Sequence, residues 1–140
     1  MGTYERFLET EVLTADPVAL VRMLYRGAID SIASARQHLA AGNVVERSNQ
    51  VAKAHAILHE LSTSLNTSAG GEIASNLREL YDYMQRQLNA ANLQQVDAPM
   101  ADVETLLRNL LGAWVEIGAR QNASPIAPEQ ETYVPLSLAG

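Results

Sequence analysis

The sequence predicts an all-α protein, an antiparallel four-helix bundle with a short N-terminal helical segment and a disordered C-terminal tail. Apolar residues recur at steps of three and four along four long segments, which is the period of amphipathic helices. Breaks rich in Gly, Asn, Asp and Pro separate these segments, and short connections favour antiparallel neighbours. No segment shows sustained two-residue alternation, so strands are not expected.

The first long helix is expected to begin at Pro17, with Asp16 as its N-cap, and to end at Gly42. The second is expected to run from about Val44 to Leu65. The third is expected to open near Glu72, where an acid suits the positive end of the helix dipole. The fourth follows a break at 97–99. The apolar seams are Val21, Leu24, Ala28, Ile32, Ala35 and Leu39; Val44, Val51, Ala54, Leu58, Leu61 and Leu65; Ile73, Leu77, Leu80, Met84, Leu88 and Ala91; and Val103, Leu106, Leu107, Leu110, Leu111, Trp114 and Ile117.

The expected organisation is an N-terminal capping segment at 1–13, the bundle at 14–121 and a disordered tail at 122–140. Three prolines punctuate the tail, which lacks a helical period. The tail segment Tyr133-Val134-Pro135-Leu136 has the form of a short docking motif, although a plain frayed tail is the favoured interpretation.

Composition excludes several functions. The formal net charge is −6 and Lys53 is the only lysine, so neither phosphate backbones of nucleic acid nor anionic lipid surfaces are expected partners. The chain has no cysteine, which removes disulfides and thiolate chemistry. Neither a secretory signal nor a span of about 20 apolar residues is present, so we expect cytoplasmic residence without membrane insertion.

No catalytic, metal or cofactor site is expected. His55 and His59 share a helix face, a spacing that can bind zinc, but Ala56 stands where the catalytic zinc motif has its glutamate. No histidine lies three residues after a glutamate, as a diiron bundle would require. The interpretation favoured for the histidines is two polar residues beside the helix seam.

The first half of the first helix carries more apolar surface than a bundle helix needs. Only Arg22 and Arg26 are charged between Pro17 and Ile29, and both lie on one face. The last helix repeats this excess more mildly. The pattern alone leaves open whether neighbouring helices cover the excess or whether it forms a groove for another helix or an extended chain.

At these residues the chain resembles the FliS family, the flagellar export chaperones of flagellin, over residues 4 to about 118. One motif is Thr14-Ala15-Asp16-Pro17 leading into the segment 20–28. The more specific motif is Gly70-Gly71-Glu72-Ile73-Ala74-Ser75-Asn76-Leu77, followed by the segments 80–84 and 91–93. The chain departs from the family pattern at Asp16, where Ser is usual, and at Phe7, where Tyr is common. Arg26 also departs, since an acidic residue is usual there, which puts any contact of that acid in doubt.

The resemblance implies a non-enzymatic cytoplasmic helical bundle that binds the C-terminal segment of flagellin. It also implies that binding blocks premature polymerisation and presents flagellin to the flagellar export gate. Some family members bind the anti-sigma factor FlgM or another flagellar regulator. A largely monomeric free protein and a 1:1 complex are expected. The apolar excess and the resemblance together predict partner contacts at Tyr4, Phe7, Val12, Leu20, Met23, Leu24, Tyr25, Leu77, Tyr81, Tyr83, Met84, Leu107, Leu111 and Val115.

Two alternatives belong to other classes of protein: an adaptor bundle that homodimerises through the same apolar excess, and a metal or cofactor bundle enzyme, which the absence of a ligand pattern disfavours. The role of the N-terminal segment also stays open. Its positions 4, 7, 8 and 12 share one face, so it can cover an apolar surface of the bundle or contact the partner directly.

Overall fold

A computed structural model describes residues 17–65 and 67–123, with side chains for 18–65 and 71–119. These residues form four helices: α1 (Pro17–Ala41), α2 (Val44–Thr63), α3 (Thr67–Gln94) and α4 (Ala98–Ala123). Each helix packs mainly against its two neighbours, α1 on α2 most extensively and α3 on α4 least. The predicted all-α bundle is therefore confirmed.

Polar contacts fix the antiparallel directions of the helices. Arg36, late in α1, donates to Asp97 at 2.7 Å and to Glu104, early in α4, at 2.9 Å. Arg47, early in α2, donates to the Asn92 side-chain oxygen late in α3 at 2.7 Å. In both contacts the beginning of one helix lies beside the end of a neighbouring helix. This is the antiparallel arrangement that short connections require.

Two helices end in a residue with left-handed backbone. Gly42 ends α1 with φ +79, and the N–H of Asn43 donates to the His38 carbonyl at 2.9 Å. At the end of α3 the same role falls to Gln95, with φ 59, and the N–H of Val96 donates to the Ala91 carbonyl at 3.1 Å. Both are Schellman-type ends, but only glycine takes this conformation without steric cost.

The third helix begins earlier than the sequence predicts. It starts at Thr67 rather than near Glu72, because the residues before Gly71 form a helical turn of their own. Gly71, with φ 59 and ψ −130, interrupts the helix and produces the kink. That backbone conformation is essentially restricted to glycine. The connection between the two helices therefore falls just after Thr63, earlier than predicted, and the predicted Gly70-Gly71 break is a kink at Gly71 within the helix.

The core runs along all four helices and contains most of the predicted seam. Trp114 is buried as expected, and so are Val18, Tyr25 and Ile29, which formed much of the apolar excess of α1. Burial of these side chains answers the question the pattern left open for α1: most of its excess belongs to the core. Two predicted seam residues, Val44 and Ile73, are instead exposed. Val44 is the first residue of α2, where the helix has only begun.

Candidate functional site

One flank of α3 contacts α2. On this flank Asn92 accepts from Arg47, and Gln85 donates to the His55 carbonyl at 3.3 Å. At ~100° per residue, the flank on the other side of the α3 core stripe carries Ile73, Leu80 and Tyr83. Because α4 is the other neighbour of α3, this second flank is turned toward α4.

The fourth helix is arranged in the same way. Glu104 and Arg108 lie on the flank turned toward α1, where Glu104 accepts from both Arg36 and Arg108. Burial alone would raise the pKa of Glu104, but the hydrogen bonds from Arg108 and Arg36 outweigh it and hold the pKa below 4.5. The opposite flank of α4, at ~100° per residue, is apolar and is turned toward α3.

These two facing flanks form an apolar strip that we call the α3–α4 face. It lies along the helix pair with the least extensive packing in the bundle. Its residues are Ile73, Leu80 and Tyr83 on α3, and Leu106, Leu110 and Ile117 on α4. Ile73 is 58% exposed and Tyr83 39%, while the others are partly buried against the core. Partly exposed apolar side chains gathered on one side of a bundle are typical of a binding site for another chain.

Several predicted partner contacts are core residues instead. Their side chains have almost no exposed surface: Leu24, Tyr25, Tyr81, Met84 and Leu107. These five residues therefore serve the core in this structure, and their predicted contact with a partner stays a prediction. They lie on the core stripes of their helices. The helix wheel shows that an apolar stripe is wide, but not how much of its width is buried by neighbouring helices.

The remaining predicted contacts are divided among different surfaces. Tyr83 lies on the α3–α4 face, whereas Leu77 is partly buried on the core stripe of α3. Leu111 and Val115 lie on the flank of α4 turned toward α1, with Val115 41% exposed, while Leu20 and Met23 are half-buried on α1. The structure therefore does not bring the predicted set together. Tyr4, Phe7 and Val12 lie outside the described residues, as does nearly all of the predicted tail.

The sequence placed all residues of the α3–α4 face except Tyr83 on the core seams. Ile73 is exposed instead, whereas Leu80, Leu106, Leu110 and Ile117 do pack against the core and keep part of their surface exposed, which the seams did not predict. The helix wheel shows that these positions lie at one edge of each stripe rather than at its centre. Which edge is exposed depends on the helix order around the bundle, which the wheel does not contain.

A polar cluster links α1, α3 and α4 inside the bundle. The hydroxyls of Tyr25 and Tyr81 are 2.7 Å apart, and the indole of Trp114 lies 6.5 Å from the Tyr25 ring. Burial raises the pKa of Tyr25, opposed by hydrogen bonds from Tyr81 and Trp114. Burial also raises the pKa of Tyr81, and here the interaction with Tyr25 adds to the shift. Both hydroxyls stay protonated at neutral pH, so the cluster pairs buried polar groups rather than activating a nucleophile.

The groove between α2 and α3 holds the two histidines considered from the sequence. It is an open groove of about 490 Å³ lined by small and polar side chains, including His55, His59 and Asn89. His55 contacts Gln85 and Asn89 through its ring nitrogens at 3.3 and 3.5 Å. Among the described residues, no three His, Cys, Asp or Glu side chains come together as metal ligands. His55 therefore links two helices as a polar contact beside the seam.

None of the helices, over the residues described, is long and apolar enough to cross a membrane.

The chain matches the family model described as flagellar protein FliS over residues 1–121. The flagellar secretion chaperone FliS of Salmonella typhimurium is 40% identical to it over 126 residues, covering 89% of each chain. Homologues with the same description from Vibrio cholerae and Bacillus subtilis are each 31% identical, covering 79% of this chain and 81% and 82% of their own.

Proposed function

Because the chain belongs to the FliS family of flagellar secretion chaperones, we propose that it binds the C-terminal segment of flagellin on the α3–α4 face. A chaperone family implies a binding protein rather than an enzyme. The observation that favours this face is its partly exposed apolar strip, which spans two neighbouring helices. An amphipathic helix of the client can lay its apolar side on such a strip.

The proposed consequence of binding is protection of the client. Apolar surface that would otherwise drive flagellin self-association is buried against the chaperone, so premature polymerisation is blocked. We further propose that the complex acts in the cytosol and presents flagellin to the flagellar export gate. The family membership supports this step, and it also makes FlgM or another flagellar regulator a reasonable second partner.

Titration calorimetry with the full chain and a peptide of the cognate flagellin C-terminal segment tests the binding. We expect 1:1 stoichiometry, a negative heat-capacity change because apolar area is buried, and a gain of helix by circular dichroism as the client folds. Absence of both heat and helix gain would refute the proposal.

A matched pair of variants tests the location. Ile73 and Leu93 are both exposed apolar residues of α3, 58% and 83% respectively, but only Ile73 lies on the α3–α4 face. Ile73→Ser combined with Tyr83→Ala should weaken flagellin binding at least tenfold, while Leu93→Ser should leave the affinity unchanged. Equal effects of the two variants would place the client elsewhere on the bundle.

A homodimeric adaptor bundle is the competing function, since a partly exposed apolar strip can also pair with a second copy. Sedimentation of the free protein discriminates the two. The chaperone should be largely monomeric at micromolar concentration and should form a 1:1 complex when flagellin is added. A dimer that flagellin does not dissociate would favour the adaptor.

The role of the N-terminal segment stays a prediction, because Tyr4, Phe7 and Val12 lie outside the described residues. If the segment covers the bundle, removing its apolar side chains should tighten client binding; if it contacts the client, Tyr4→Ala with Phe7→Ala should weaken it. Hydrogen exchange of residues 4–12 with and without flagellin decides, because either role changes their protection.

A further inference from the structure

Helix α4, the last described element before the segment 124–140, ends at one end of the α3–α4 face. Helix α4 ends at Ala123, less than two turns beyond Ile117, which belongs to the face. Ile73 opposes this part of α4, since it lies at the start of α3 beyond the kink and the two helices run in opposite directions. The helix end to which the segment 124–140 is attached is therefore the end of α4 nearest Ile73, the most exposed apolar residue of the face.

The segment can reach the whole face. From Leu106 to Ile117 the face extends along α4 by about 16 Å, at 1.5 Å rise per residue. An extended chain covers roughly 3.3 Å per residue, so residues 124–136 can span about 40 Å and can turn back along the face. Apolar residues are concentrated in the second half of the segment: Tyr133, Val134, Leu136 and Leu138.

The residues of the segment suit an extended ligand. Pro125, Pro128 and Pro135 fix backbone φ and favour polyproline II geometry, so less conformational entropy is lost on docking. Extended proline-containing segments dock on surfaces that present aromatic side chains. The α3–α4 face presents such a side chain in Tyr83, which is 39% exposed.

We infer that residues 124–140 form an intramolecular ligand of the α3–α4 face, with Tyr133 and Leu136 as the anchoring side chains. In the free protein this segment covers the apolar strip, whereas its composition alone predicts a disordered tail that docks nowhere. The regulatory consequence rests on the proposed client site: flagellin must displace the segment, which lowers its apparent affinity and limits capture of unrelated apolar chains.

Docking is tested without any client. The chain has no cysteine, so Ser137→Cys in the full-length protein accepts a single nitroxide label. We expect the label to broaden the NMR signals of Leu80, Tyr83 and Leu106, at the end of the face distant from Ala123. Tyr133→Ser with Leu136→Ser in the same labelled chain should abolish this broadening. Broadening confined to the residues near Ala123, or unchanged by the two substitutions, would overturn the inference.

Competition is tested with the full-length, unlabelled protein. Tyr133→Ser with Leu136→Ser should tighten binding of the flagellin peptide by about three- to tenfold, as expected when a competing state is removed. Gln130→Ala with Thr132→Ser, which changes polar side chains of the same segment, should have no effect. Equal or weaker binding by the apolar double variant would exclude competition.

The two proposals fail in distinguishable ways. If the flagellin site is wrong, no variant binds the peptide on this face, yet the broadening from the label at residue 137 persists. If the intramolecular ligand is wrong, the broadening is absent while Ile73→Ser with Tyr83→Ala still weakens flagellin binding.

Discussion

The hydroxyl of Tyr25 on α1 lies 2.7 Å from the hydroxyl of Tyr81 on α3, and both side chains are buried. The two rings meet edge to face, with centroids 6.3 Å apart. This contact joins helices on opposite sides of the bundle, while most other packing lies between neighbours. The Trp114 indole also lies against Tyr25, with ring centroids 6.5 Å apart, and it opposes the rise in the Tyr25 pKa, so Tyr25 has polar groups on two sides and Tyr81 on one.

Tyr25→Phe should destabilise the protein more than Tyr81→Phe. The first change leaves the Tyr81 hydroxyl without its partner and removes the polar group beside the Trp114 indole, whereas the second leaves the Tyr25 hydroxyl beside that indole. Each unsatisfied buried group costs about 1–3 kcal/mol. Urea denaturation measures the difference, with Tyr83→Phe as the exposed control. The reverse order of the two midpoints would contradict the assigned pairing.

The same pair should cause unfolding at alkaline pH. Both tyrosines have a pKa raised above the ordinary value of 10.0 in the folded protein, chiefly by burial. Their protonated forms are therefore favoured by folding, and this stability is fully present below pH 10 and is lost as the pH rises beyond it. Thermal unfolding between pH 8 and 11.5 should show a steep fall above pH 10. The fall should be shallower in the Tyr25→Phe, Tyr81→Phe double variant; an equally steep fall would assign it to other groups.

Asn92→Ala should be strongly destabilising for a residue that is only half-buried. Arg47 is 4% exposed and donates to both the side-chain oxygen of Asn92, at 2.7 Å, and its carbonyl, at 3.4 Å. The guanidinium also lies at the C-terminal end of α3, where the helix dipole favours a cation. Loss of a hydrogen bond to a buried charge costs about 1.5–3 kcal/mol. Asn89→Ala on the same flank should cost less than about 0.5 kcal/mol, and similar losses for both would argue against a special role for Asn92.

Trp114→Ala should cost roughly 3–5 kcal/mol of stability, because it removes a large buried side chain and leaves a cavity. Trp114 is 5% exposed and packs against Tyr25. Trp114→Phe should cost less, since much of the volume is kept, but should still leave the Tyr25 hydroxyl with one partner fewer. Calorimetric melting temperatures give both values. An unchanged melting temperature with abolished flagellin binding would make Trp114 a contact residue instead.

Gln95→Gly should stabilise the protein. Gln95 holds φ 59 at the end of α3, a conformation that costs a non-glycine residue about 1 kcal/mol. Glycine removes this cost and keeps the backbone hydrogen bond of Val96 to Ala91. The control change Arg86→Gly, at an exposed position in the interior of the same helix, should destabilise by about 0.5–1 kcal/mol. Guanidinium denaturation of the two variants should therefore show midpoint shifts of opposite sign.

The sequence by itself determined the helices, because helix formation depends on local patterns that a single segment contains. The start of α1 at Pro17, its end at Gly42 and the buried position of Trp114 were all predicted from spacing and turn residues. The kink of α3 at Gly71 was predicted as the break between two helices, but the connection between those helices lies a few residues earlier, after Thr63. The family resemblance was likewise contained in short motifs, and the homologues confirm it.

Only the tertiary structure decided which apolar residues are surface. A helix wheel gives the width of an apolar stripe, but exposure depends on how closely each neighbour packs along each edge. Tyr25, Tyr81 and Met84 were predicted as contacts and are core, because their stripes point to the centre of the bundle. Ile73 was predicted as core and is 58% exposed, because it lies at the α4 edge of α3, along the least extensive helix pair. The helix order around the bundle is a long-range property, and no single helix segment contains it.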